Sequence, residues 1–290
     1  MTEVPRRLVF VHGIGGIRDA EAEAASWSAA LTRNTDLTSI QVTFVDYSKE
    51  FHVDGAQGDP AIETELLQEL VAELVAELEE NASTSSERVL ADARMQLTAT
   101  ADQGPGEVVR RLANVLTTVL AMPGLRSAGQ WASGRSVLGH LAQVAIYLGR
   151  AGEVDARIRA RVHDALTAGP AVVVAHSLGS VVAYEALHEH SGPIPLLVTL
   201  GSPLAMSAVV WHRLTPRPPR TPECVDRWQN FWDCDDIVVA RPRLERRFLP
   251  NTNGVIPVSR QIDSVGLWTH TATKYLAQPL VAAQIADALR

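Results

Sequence analysis

Apolar and polar positions change rhythm several times along the chain, and the changes mark out its elements. Leu8-Val9-Phe10-Val11 and Ala171-Val172-Val173-Val174-Ala175 are unbroken apolar runs, and Leu196–Leu200 is a third, nearly as apolar. Short continuous runs of β-branched and large apolar residues suit strands buried on both faces, as in a parallel sheet. Elsewhere the period lengthens. Helices are expected around Ala22–Arg33, Glu153–Ala168, Gly179–His190 and Leu280–Leu289, and further strands around Ile40–Tyr47 and Val225–Trp232. A Pro-rich loop, Thr215–Pro222, separates two of the strands. Strands alternating with helices predict an α/β chain whose mostly parallel central sheet carries helices on both faces. No internal repeat is visible.

Roughly residues 49–150 interrupt that alternation. The chain therefore divides into a first part of the core (1–48), a helical insertion (49–150) and a second part of the core (151–290). A helix at about Ala61–Glu80 carries Leu66, Leu70, Leu74 and Leu78 on one side, with Glu65, Glu69, Glu73 and Glu77 along a neighbouring line. Like charges at i,i+4 cost about a few tenths of a kcal/mol per pair, so this helix depends on packing its leucines, and its glutamates are expected to form a solvated face. Val108–Met122 and Ser136–Leu148, with Trp131 between them, are apolar and poor in charge. The first expectation for them is the roof of an acyl-binding pocket, because an insertion at this point in the chain lies over the site. An ordinary packed subdomain, a dimer surface and a surface opening at a lipid interface are the alternatives.

Chemistry concentrates at strand ends. Ala171–Ala175 runs directly into His176-Ser177-Leu178-Gly179-Ser180. A strand, a serine, a glycine and then a helix predict a strained elbow that lifts the serine hydroxyl into a cleft and aims the N–H of Leu178 at the same space. Ala175 and Gly179 are small enough to let strand and helix pass closely. After Leu8–Val11 comes His12-Gly13-Ile14-Gly15-Gly16, a turn able to bring a second N–H, that of Ile14, to the reacting centre. Strand Trp228–Trp232 leads into the acidic turn Asp233-Cys234-Asp235-Asp236, and His270 lies in a polar loop before the terminal helix. A serine hydroxyl becomes a useful nucleophile when a neutral imidazole takes its proton, and a carboxylate fixes the tautomer of that imidazole.

The order Ser, acid, His, together with the elbow and the His-Gly turn, resembles the α/β-hydrolase family. Within it the closer likeness is to the lipase and serine-esterase group with a His-Ser-x-Gly elbow, over roughly residues 6–48 and 153–290. The resemblance implies an α/β-hydrolase fold with a helical lid, Ser177 as nucleophile, His270 as general base, Asp236 as acid, and the N–H groups of Ile14 and Leu178 as the oxyanion hole. Asp236 is preferred because Asn230, Trp232, Asp236 and Ile237-Val238 match an asparagine, an aromatic, a short turn and an aspartate before a hydrophobic residue. Ile237 stands where the family usually has proline, so Asp233 is the alternative acid and Asp235 the next. The implied activity is hydrolysis of carboxylic esters with a hydrophobic acyl part, through an acyl-enzyme. A thioesterase or acyltransferase using the same triad is one alternative, and a noncatalytic scaffold binding a ligand or protein is another. No cofactor and no metal is expected. His176, inside the elbow, is expected to point away from the base, and His12 to brace the oxyanion turn. His52, His140, His163, His188, His190 and His212 lack a motif and are expected to be surface or packed groups.

Composition narrows the partners. The 290 residues are 46% hydrophobic, ample for one large core with an insertion. A net charge of −7 argues against nucleic acid, whose phosphates need a basic excess. The basic stretches Trp211–Arg220 and Arg241–Arg247 are expected to be solvated loop faces, with a rim that attracts an anionic substrate as the alternative. Cys224 and Cys234 lack metal-ligand spacing and are expected to be reduced, mostly buried thiols. Apolar runs such as Leu112–Met122 fall short of the ~20 residues a membrane span needs, and no secretory leader is expected ahead of Leu8. These features predict a cytoplasmic protein without stable membrane insertion that acts on a small-molecule ester, with a homo-oligomer left open.

Overall fold

The computed structural model describes residues 6–13, 19–36, 40–52, 60–80, 86–98, 105–120, 122, 134–150, 153–206, 210–234, 236, 238–239, 242–263 and 270–290. The strands are β1 (Arg7–Val11), β2 (Gln41–Val45), β3 (Val172–His176), β4 (Leu196–Leu200), β5 (Trp228–Asp233) and β6 (Pro257–Ile262). They form one sheet in the order β2-β1-β3-β4-β5-β6, and every neighbouring pair is parallel. Every residue of β1, β3 and β4 is buried, which is why those strands read as unbroken apolar runs. The register places Phe10 opposite Val174 and Val174 opposite Val198, so like-facing side chains stack across three strands.

Alternate residues of these strands supply two cores. Val9, Val11, Val173, Ala175 and Leu197 face one of them, and Leu8, Phe10, Val172, Val174, Leu196 and Val198 the other. The second core is closed by α1 (Ala20–Thr32), α8 (Ala272–Leu276) and α9 (Pro279–Ala288). Asp19 caps α1, its Oδ1 accepting from the N–H groups of Glu21 and Ala22, and Trp27 packs edge-on against Phe10. The first core is closed by α6 (Val154–Leu166) and α7 (Leu178–His188) and runs on without a break into the helices of the insertion.

Those helices are α2 (Pro60–Glu80), α3 (Glu87–Thr98), α4 (Pro105–Leu120) and α5 (Gly134–Gly149). α2 buries Leu66, Leu67, Leu70, Val71, Leu74 and Val75, a stripe wider than the single leucine line expected from the sequence. Glu73, one turn beyond Leu70, falls on the border of that stripe and is buried, which corrects the solvated acidic face. Glu65 and Glu69 are exposed, and Glu69 pairs with Arg213. At the end of α5, Arg150 donates to both carboxylate oxygens of Glu185 on α7 and to Asp155 on α6, while Tyr147 also donates to Glu185. This buried cluster ties the insertion to the helix that follows the elbow. Its value lies more in fixing that junction than in raw stability, because desolvation offsets most of the Coulomb gain.

Several boundaries differ from expectation. α3, α8 and β6 were not anticipated, and the strand expected from Val225 begins at Trp228, with Val225 making an isolated bridge to Ile194. Cys224 is half-buried, its S–H donating to Leu187 O, and Cys234 is exposed, so only one of the two thiols is sheltered. Among the described residues no helix is long and apolar enough to cross a membrane.

Candidate active site

At the end of β3 the chain enters Ser177 with φ 53° and ψ −131°, a conformation that L-residues rarely adopt. Such a residue stores about 1–3 kcal/mol and persists because its surroundings over-determine it. Here Ser177 N–H donates to Leu200 O at 3.0 Å, and Ser180 Oγ donates to Ser177 O at 2.6 Å. With the Ser180 hydrogen committed, the 2.7 Å contact between Ser180 Oγ and Ser202 Oγ has Ser202 as donor. The end of β4 thus holds the elbow in place.

The turn after β1 crosses the same point. A Cβ on Gly179 would collide with the carbonyl oxygens of His12 and Val11, and one on Gly13 would stand 2.7 Å from Ser177 Cβ. Glycine is required at both positions because backbone passes backbone. His12 braces this crossing as expected: its Nδ1 lies 2.6 Å from Gly13 O, and Tyr47 N–H donates to Nε2 at 3.2 Å, so the hydrogen sits on Nδ1. The Tyr47 hydroxyl donates to His12 O, and its ring stacks on the imidazole at 4.1 Å. Ile14 lies outside the described residues. Leu178 opens α7, which places its N–H among the free donors at a helix start.

Three side chains from distant parts of the chain meet above this frame. His270 Nε2 stands 2.9 Å from Ser177 Oγ, and His270 Nδ1 stands 2.8 Å from Asp236 Oδ2. All three are buried. Asp236 Oδ1 accepts Val238 N–H at 3.0 Å, and Oδ2 also accepts the Tyr275 hydroxyl at 2.7 Å. Burial pushes the Asp236 carboxyl up, but adjoining His270 together with the Tyr275 and Val238 donors outweighs it, so the carboxyl titrates below its ordinary range. Asp236 is the aspartate whose carboxylate meets His270 in this geometry. Asp233 is buried beside it, with its N–H donating to the Tyr275 hydroxyl, and Asp235 lies outside the described residues.

The position of His176 differs from expectation. Its ring lies 4.7 Å from that of His270 at a 37° tilt, beside that imidazole rather than turned away. The cause is the alternation along β3: His176 is in phase with Val172 and Val174, so it faces the second core, where the His270 loop leads into α8. Burial pushes its imidazole well below the ordinary value, and the neighbouring His270 adds to that. His176 Nε2 has no hydrogen-bond partner among the described residues.

Two residues of this site escaped the sequence. Tyr275 has the spacing of a core aromatic in a short helix, and nothing in the sequence separates it from one. Gly201 carries φ +53°, and a Cβ there would stand 2.7 Å from Asp236 Oδ2 and 3.2 Å from His270 Nδ1. Its one signal in the sequence is a glycine directly after the apolar strand β4. Among the described residues no group of three His, Cys, Asp or Glu side chains is arranged to hold a metal ion. The sequence matches none of the protein-family models and none of the curated proteins compared with it.

Proposed function

We propose that this protein is a serine hydrolase of the α/β-hydrolase type that cleaves carboxylic esters through Ser177, His270 and Asp236. The observation that carries the proposal is the continuous relay from Ser177 Oγ through both ring nitrogens of His270 to Asp236 Oδ2, with 2.9 and 2.8 Å links in a buried setting. Attack of Ser177 Oγ on an ester carbonyl passes its proton to His270 Nε2. Asp236 stabilises the imidazolium that forms, and the negative oxygen is received by Leu178 N–H and, as the second donor, Ile14 N–H. His270 then returns the proton to the departing alkoxide. A water deprotonated by His270 releases the acid and restores Ser177.

In this proposal the insertion acts as a lid that sets acyl preference. A buried acyl chain gains about 0.8 kcal/mol per methylene removed from water, so medium and long acyl esters should be preferred to acetate. The test is intact-protein mass spectrometry after exposure to a fluorophosphonate, followed by a chain-length series of p-nitrophenyl esters and matching thioesters. The wild type should gain one adduct at Ser177 and turn over esters, and Ser177→Ala should do neither. Unchanged labelling of Ser177→Ala removes the proposal. Preference for thioesters moves it to the thioesterase alternative, and acetate as the best ester removes the lid pocket.

A further inference from the structure

We infer that Tyr275 is a positioning residue that sets the basicity of His270 by sharing its hydroxyl hydrogen with the acid; this rests on the triad proposed above. Tyr275 is fully buried on α8, five residues after His270, and its hydroxyl lies between two elements of the acid turn. It accepts Asp233 N–H at 3.2 Å and donates to Asp236 Oδ2 at 2.7 Å. Oδ2 is the same oxygen that takes His270 Nδ1, so the phenol and the imidazole compete for one carboxylate oxygen. With Val238 N–H on Oδ1, both oxygens of Asp236 are engaged and the carboxylate cannot rotate toward His270 or away from it.

Competition has a direction. A hydroxyl donating to Oδ2 draws negative charge away from His270, which makes the imidazolium less favourable and the base weaker. Withdrawing that donor should strengthen the base, and improving it should weaken the base. Among the described residues, His270 meets Asp236 from the turn after β5, Ser177 from the elbow and His176 from β3, and Tyr275 from α8 reaches it through Asp236. His12 interacts electrostatically with His176, and Asp233 with Tyr275. Tyr275 is the neutral donor that meets the carboxylate directly, so replacing it alters the field without changing the charge.

The experiment measures two things in full-length protein: the pH dependence of fluorophosphonate labelling, and the NMR titration of the His270 ring with its downfield Nδ1–H signal. Tyr275→Phe should move the acid limb and the His270 titration to higher pH by about half a unit to one unit, with a lower labelling plateau. 3-Fluorotyrosine installed at position 275, a better donor of the same shape, should move both to lower pH. Titrations that stay in place, or move the same way in both variants, overturn the inference and leave Tyr275 as a packing residue. If Tyr275→Phe fails to fold, the fluorinated protein alone decides by the sign of its shift. If the wild type does not label, the hydrolase proposal fails separately, because the ring titration needs no turnover.

Discussion

The C-terminal edge of the sheet and the helical insertion are held by different forces. At the edge, nearly every residue around Ser177 is placed by a hydrogen bond or a backbone crossing between segments far apart in sequence: Leu200 O, Ser202 Oγ, His270 Nδ1, the Tyr275 hydroxyl. In the insertion, Leu70, Val71, Leu90, Leu112, Val115 and Leu116 are buried against one another, and polar links such as Arg94 to Glu79 lie at the margin. Directional bonds fix geometry to fractions of an ångström but add little net stability each, whereas apolar burial adds stability and tolerates shifts. Damage at the edge should therefore appear as lost chemistry, and damage in the insertion as lost stability.

The sharpest separation is expected at the acid. Asp236→Asn keeps the shape but reverses a hydrogen bond, and it should slow ester turnover by about three to four orders of magnitude while the protein still folds. Asp233→Asn should cost less than about tenfold on the same scale. Comparable losses in both variants, measured as kcat/KM, would erase the distinction between the two aspartates. On the other side, Leu70→Ala should cost about 2–5 kcal/mol in denaturant unfolding through the cavity it leaves. Labelling of Ser177 in the folded population should stay near the wild-type rate. A rate that falls with stability would show that the two regions are not independent.

The smallest effect bears on the edge alone. The ordinary imidazole value is 6.5, and His176 lies well below it in the folded chain. As pH falls through about 6.5, the unfolded chain takes up a proton that the folded chain refuses, so stability should drop by up to about 1.4 kcal/mol per pH unit. Above that pH His176 contributes no slope. Asp236 acts in a separate window: its depressed carboxyl contributes stability that is lost only as pH falls through its folded value, below the ordinary 3.8. Urea melts from pH 5 to 8 should show the slope, and His176→Phe should flatten it by that amount. An unchanged slope would place the responsible proton elsewhere.

How much of this was legible in the sequence follows from the same difference. β1, β3 and β4 were plain because burial on both faces writes itself as an uninterrupted apolar run, and the elbow was plain because serine and glycine follow β3 directly. β6 was hidden for the opposite reason. It is an edge strand with Val258, Arg260 and Gln261 exposed, so Pro257–Ile262 carries no such run. α3 was hidden by Arg88, Asp92, Arg94 and Gln96 around the buried Leu90 and Ala93. The meeting of Ser177, His270 and Asp236 agrees with the order of motifs along the chain. Tyr275 and Gly201 matter through a hydroxyl direction and a missing Cβ, which composition and spacing do not encode.

The close crossing at Gly179 bears on when the site comes into being. The carbonyls of Val11 and His12 that lie against it belong to the end of the opening strand and the turn after it, while Gly179 lies beyond the whole insertion. Chain closure over so long a span is entropically slow, and contacts of this kind form late relative to local helices. During synthesis β1 leaves the ribosome early and waits for β3, while the intervening helices can fold among themselves. The strained serine is then clamped only once the two ends of the domain have found each other. A chain truncated within the insertion lacks Ser177 altogether, and one completed through α7 has it in the clamped conformation only when β1 docks, so maturation of the site is coupled to completion of the sheet.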